Sequence, residues 1–130
     1  MNTNTVDLPG MSLPALREYL RAMDGGSVSL ERYLQVFAMT PETLAARAGV
    51  TRTVLLRSPE SAPVQAFIRD SLRVVVALVE SGLPLDKAIF CFRNEPLSVF
   101  DYRTAEELVS TGKTGQVLQF IESWQAGGQG

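Results

Sequence analysis

The side chains that most often carry catalytic chemistry are scarce in this sequence. It holds no histidine and a single cysteine, Cys91. Without histidine, neither a Ser–His nor a Cys–His pair can form within the chain, and no Cys/His metal cluster can assemble. Cys91 lies in the apolar stretch Ile89-Phe90-Cys91-Phe92, where it reads as a small buried hydrophobe rather than a reactive thiol. One cysteine cannot form an intrachain disulfide, which fits a reducing compartment. There is no glycine-rich phosphate loop and no G-x-S-x-G elbow. No catalytic residue, metal or cofactor is therefore expected, and an enzyme is the weakest reading. What remains is recognition chemistry: arginines at 47, 52, 57, 93 and 103, carboxylates at Glu95 and Asp101, and the lone tryptophan, Trp124.

These groups must be held by a small scaffold. The chain has 130 residues, is 45% hydrophobic and carries a formal charge of −2. That suits one compact domain, or two small helical subdomains sharing a core. Bulk disorder is excluded by the hydrophobicity, and the strong positive excess of a dedicated nucleic-acid binder is absent. The polar start Met1–Thr5 has no basic and apolar leader pattern, and the apolar run 74–79 is too short to span a bilayer, so a soluble cytoplasmic protein is expected.

Hydrophobic spacing and caps predict helices throughout. After a lead-in over 1–10, Ser12 caps a helix with Leu13, Leu16 and Leu20 on one face, stopped at Gly25-Gly26. Ser27 or Ser29 starts a second helix, with Leu30, Tyr33, Leu34 and Phe37 aligned. Thr40-Pro41 opens a third, ending at Gly49, and Thr51 caps a short fourth. Pro59 and Pro63 bracket a loop, followed by a long helix from Val64 to Glu80. A helix over 85–92, a turn at 93–96 and a loop with apolar anchors Leu97, Val99 and Phe100 come next. The pair Thr104…Glu107 forms a capping box, and a final helix from Thr114 or Gly115 carries Val117, Leu118, Phe120, Ile121 and Trp124. Gly127–Gly130 reads as a flexible tail. The expected architecture is all-α: a helical region over 11–63, then a connecting helix and a small C-terminal domain over 64–130.

Within the first region, Pro41–Ser58 has a helix-turn-helix layout. Leu44 and Ala45 point inward, Gly49 supplies a left-handed turn and Val50 plugs the core beside it. This segment resembles the Xre/Cro-type repressor motif. Arg47, Thr51, Arg52 and Arg57 are the candidate DNA contacts. Val54 and Leu56, however, fall where a groove-facing helix would carry polar base-reading groups, and Pro59 cuts that helix short. A plain helical hairpin and a vestigial motif stay open beside operator binding.

The second region carries a sharper pattern. Ala88-Ile89-Phe90-Cys91-Phe92-Arg93-Asn94-Glu95-Pro96-Leu97 is followed by Phe100-Asp101-Tyr102-Arg103-Thr104-Ala105-Glu106-Glu107-Leu108-Val109, then Gly112, Val117, Leu118, Trp124 and Gly127. This resembles the toxin-binding domain of Xre/MbcA/ParS-type antitoxins, with Ala88, Arg93, Asn94, Pro96, Leu97, Thr104, Leu108 and Gly127 in matching places. Three departures are visible: Cys91 or Phe92 stands where tryptophan is common, Ala105 replaces a proline, and a glycine before the threonine is replaced around Asp101-Tyr102. The resemblance implies an antitoxin of a type II toxin–antitoxin pair, neutralising a RES-domain toxin that acts on NAD, within an oligomeric complex. The implied toxin-binding residues are Arg93, Asn94, Glu95, Phe100, Asp101, Arg103, Trp124 and Gly127. Operator DNA is the other implied partner, through a transcription factor that can regulate its own operon; no membrane partner is implied.

Blander roles stand beside these. Trp124, at helical spacing from Phe120 and Ile121, suits a core as well as an interface. Asn94 can simply close the turn by bonding to backbone near Pro96. Glu106 and Glu107 suit a helix N-terminus through its dipole.

Overall fold

A computed structural model describes residues 8–21 and 26–124. Gly25, Gly127 and the expected tail lie outside the described residues. Among those described, eight α-helices and two short 3₁₀ turns account for the regular structure, as an all-α chain requires. The helices are α1 (Leu13–Leu20), α2 (Leu30–Phe37), α3 (Pro41–Ala48), α4 (Arg52–Arg57), α5 (Ala62–Glu80), α6 (Leu85–Asn94), α7 (Ala105–Ser110) and α8 (Thr114–Ser123).

Their beginnings follow from local chemistry. Ser12, Ser29, Thr40, Thr51 and Thr104 each accept a hydrogen bond from the third following backbone N–H, satisfying one donor that the first helical turn leaves orphaned. Thr104 and Glu107 complete the reciprocal capping box. The turn between α3 and α4 needs a left-handed residue, and Gly49 supplies it at φ 76°.

The long helix α5 is the hub, packing on α3, α6, α7 and α8. Its inward face presents Val64, Phe67, Ile68, Ser71, Val74, Val75 and Leu78. Buried side chains from Leu16 to Ile121 join in one cluster, with Tyr33 stacked on Phe37 and Phe37 edge-on to Phe92. Gln65, only 3% exposed, accepts from Val28 N–H at 2.9 Å and donates to the carbonyls of Val28 and Pro59, tying the segment before α2 to α5.

Several local expectations change. Helix α5 starts at Ala62, so Pro63 sits in its first turn, where the missing N–H costs nothing, rather than closing a loop. Helix α6 runs on to Asn94, absorbing Arg93 and Asn94 into its last turn. Asn94 Nδ2 donates back to Phe90 O at 3.1 Å, not to backbone near Pro96. Val99 is not an anchor, because its side chain is exposed.

Candidate protein-binding site

Two arginines from the candidate lists converge on one carboxylate. Glu106, 1% exposed in the first turn of α7, accepts from Arg47 Nε at 2.8 Å on one oxygen and from Arg93 Nε at 2.6 Å on the other. Arg93 Nη1 also donates to Phe37 O and Ala38 O, at 3.0 and 2.9 Å. Ala38 ends α2 in the left-handed conformation, so Arg93 places a positive charge against the exposed carbonyls of that helix. Ser110 Oγ donates to Arg47 O at 2.8 Å. One ionic junction thus joins α2, α3, α6 and α7. Glu106 does more than favour its helix dipole: it is the buried centre of the bridge, a role its sequence neighbours do not signal. The arrangement is structural, since each carboxylate oxygen is already held by a guanidinium.

Two further groups are shifted by burial. Burial pushes the Tyr33 phenol well above its ordinary range, and its hydroxyl bonds to Ser71 Oγ, which donates onward to Ile68 O. Burial, with the nearby charge of Glu95, raises the Cys91 thiol and keeps it protonated at neutral pH. No group of three His, Cys, Asp or Glu among the described residues can hold a metal ion.

The C-terminal segment is built differently. A cavity of about 450 Å³ opens between α6, α8 and the end of α5. Lys87, Cys91 and Glu95 follow one another at four-residue spacing along the α6 side, and Val117, Phe120, Ile121 and Trp124 line it from α8. Its walls are apolar, with Lys87 and Glu95 the charged groups. The volume and lining match what concave recognition sites use. Two of the candidate residues, Glu95 and Trp124, are brought together here, and Trp124 is 43% exposed.

Beside this lies a constrained turn. Leu97 N–H donates to Arg103 O at 3.0 Å and Tyr102 N–H to Leu97 O at 2.8 Å, pinching the chain into a loop. At its tip, Asp101 and Tyr102 have φ of 59° and 64°, a region that costs non-glycine residues roughly 1–3 kcal/mol each. Phe100 anchors the loop by packing edge-on against Phe120 with ring centroids 5.8 Å apart. The result displays Val99 and Tyr102, which are 64% and 71% exposed. Phe90, on α6, is also exposed. Asp101 is exposed and Arg103 half-buried, its Nε donating to Phe100 O at 3.4 Å. Residue types and spacing gave no warning that Phe90, Val99 and Tyr102 would be displayed; the left-handed turn that holds Val99 and Tyr102 outward shows only in the backbone.

The helix-turn-helix segment offers less. Arg47 is engaged with Glu106, Thr51 serves as the α4 cap, and Arg52 pairs with Glu42 at 2.7 Å. Arg57 is exposed. Helix α4 is six residues long and turns Val54 and Leu56 toward solvent. No described helix is long and apolar enough to cross a membrane. No known protein family, curated protein or solved structure matches the chain.

Proposed function

We propose that this protein is a cytoplasmic antitoxin whose C-terminal segment binds a RES-domain toxin and holds it inactive. The observation that carries this reading is that residues 90–124 expose four large apolar side chains, Phe90, Val99, Tyr102 and Trp124, the last of them bordering the apolar cavity. Exposed apolar surface of this kind marks interaction sites, and Tyr and Trp are the commonest interface anchors. The same stretch carries the resemblance drawn from the sequence. The left-handed turn at Asp101-Tyr102 falls where that pattern has a glycine, which accounts for the position on backbone grounds.

In this reading the toxin inserts an apolar side chain into the cavity, while Tyr102 and Trp124 cover the toxin's NAD-binding cleft. Arg93 acts indirectly, by fixing α6 through Glu106. Co-expression with the product of the neighbouring open reading frame tests the proposal. Growth arrest by that product alone, relieved by this chain, supports it. A harmless neighbour, or arrest that this chain does not relieve, refutes it.

A second reading, operator binding through α3 and α4, is favoured by the Gly49 turn and by the exposed Arg52 and Arg57. Its test is a mobility shift on the upstream promoter: loss of the shift with Arg52→Ala/Arg57→Ala supports it, and no shift at low salt ends it.

A further inference from the structure

Helix α5 carries a second apolar stripe beside its buried face, packed against the edge of the core and still partly open to solvent. Leu72 and Val76, four residues apart, lie on it with Ala77 beside them, all three only partly buried. Together with Leu118 of α8 they floor an open groove of about 600 Å³. Its rim is basic: Arg17 from α1 with Arg69 and Arg73 from α5, opposed only by Glu80 among the lining residues. A smaller hollow of about 180 Å³ shares Arg17, Arg69 and Leu72 and adds Arg21. The joint lining carries four arginines against one glutamate; Glu18 and Asp70 pair with Arg21 and Arg73, which leaves Arg17 and Arg69 as the cations not matched by a carboxylate at the Arg17 end of the groove.

These arginines are only lightly engaged. Arg69 donates to Gly26 O at 3.1 Å, Arg73 meets Asp70 at 3.4 Å, and Arg21 meets Glu18 at 3.7 Å with both side chains mostly exposed. Arg17 has no ion pair among the described residues. Pairs of this length and exposure contribute little to folding and are readily exchanged for a better partner.

We propose that this groove docks an acidic amphipathic helix of a partner protein. An apolar floor with a cationic rim is the complement of a helix that carries aliphatic residues on one stripe and Asp or Glu beside them. A phosphate backbone would satisfy the arginines but leave Leu72, Val76, Ala77 and Leu118 without use. From Arg69 to Glu80 the floor spans about 16 Å at 1.5 Å per residue, room for three helical turns. The arginines gather at one end and Glu80 stands at the other, so the acidic end of the ligand lies over Arg17, Arg69 and Arg73. This surface is separate from the cavity beside Trp124, and the proposal does not rest on the antitoxin reading.

The test uses the full chain and three labelled probes followed by fluorescence anisotropy. One is a helical peptide with leucines at three- and four-residue spacing and glutamates beside them. The second has every glutamate replaced by lysine, and the third is a short DNA duplex. The acidic peptide is expected to bind with a Kd below about 100 µM, at least about tenfold tighter than the lysine peptide, and to weaken as salt rises. Arg17→Glu/Arg73→Glu is expected to abolish that preference without lowering the thermal midpoint, because both side chains lie at the surface. Val76→Asp, which alters the floor alone, is expected to weaken the acidic peptide as well. Equal binding of both peptides, indifference to Arg17→Glu/Arg73→Glu, or DNA displacing the acidic peptide at lower concentration would each overturn the proposal.

Discussion

The α3–α4 segment and the 97–124 segment depart from ordinary surface chemistry in opposite directions. In α3–α4, where a DNA reader needs exposed cations, Arg47 is turned onto Glu106 and Arg52 onto Glu42, while Val54 and Leu56 face solvent. In 97–124, where a self-sufficient domain would bury its aromatics, Tyr102 and Trp124 face outward and the backbone accepts two left-handed non-glycine residues to hold the turn. The first segment invests its charges in holding helices together. The second leaves Tyr102 exposed on a strained turn and Trp124 partly exposed beside the cavity. Exposed aromatics of this kind suit a binding surface, and Glu106 is the seam between the two segments.

Glu106→Ala gives the largest expected effect, because it strands two guanidiniums at a packed junction. Loss of a buried ion-pair partner costs about 3–5 kcal/mol, so chemical denaturation is expected to show a lowered midpoint or no folded baseline. If the midpoint barely moves, the bridge is not what joins α3 to α6 and α7. Next is Tyr102→Ala/Trp124→Ala, expected to leave stability within about 1 kcal/mol while weakening partner binding at least about thirtyfold, the signature of anchor residues. A large stability loss there would erase the contrast by making Trp124 part of the core.

Smaller effects refine the same contrast. Tyr102→Gly removes backbone strain at φ 64° and is expected to raise stability by up to about 1 kcal/mol in urea titration, at the expense of binding. No gain would mean the turn is not strained. Cys91 has a raised thiol pKa, so alkylation by iodoacetamide is expected to be slow at neutral pH and to reach its plateau at a higher pH than the thiol of the unfolded chain; a profile that coincides with the unfolded chain's would contradict this. Because the folded value lies above the unfolded one, this thiol favours folding at neutral pH, and its contribution falls as pH rises above the unfolded pKa. Ligand or partner in the cavity should slow the alkylation further.

Much of the scaffold was legible because its signals are local. A cap such as Ser29, Thr40 or Thr104 acts on a backbone donor three residues away, and Gly49 answers to its own φ. The all-α architecture follows from those signals plus helical spacing. Pro63 misled because proline signals a loop and a first helical turn equally well. The Arg47–Glu106–Arg93 bridge was not legible: its members are 59 and 13 residues apart in sequence, and nothing local in Ala105-Glu106-Glu107 says which glutamate turns inward. The display of Val99 and Tyr102 was hidden for a similar reason, since apolar residues near a predicted core read as anchors until the turn that holds them is seen. Of the implied toxin-binding residues, Glu95 and Trp124 share the cavity, Phe100 holds the turn and Arg93 holds α6.

The proposed neutralising surface lies in residues 97–124 and not in α3–α4. The most direct test is growth of cells co-expressing the product of the neighbouring open reading frame with three forms of this chain, each first verified as folded by its thermal midpoint. The wild type and Arg52→Ala/Arg57→Ala are expected to restore growth, and Tyr102→Ala/Trp124→Ala to fail. Restored growth with Tyr102→Ala/Trp124→Ala, or failure confined to Arg52→Ala/Arg57→Ala, would contradict the account.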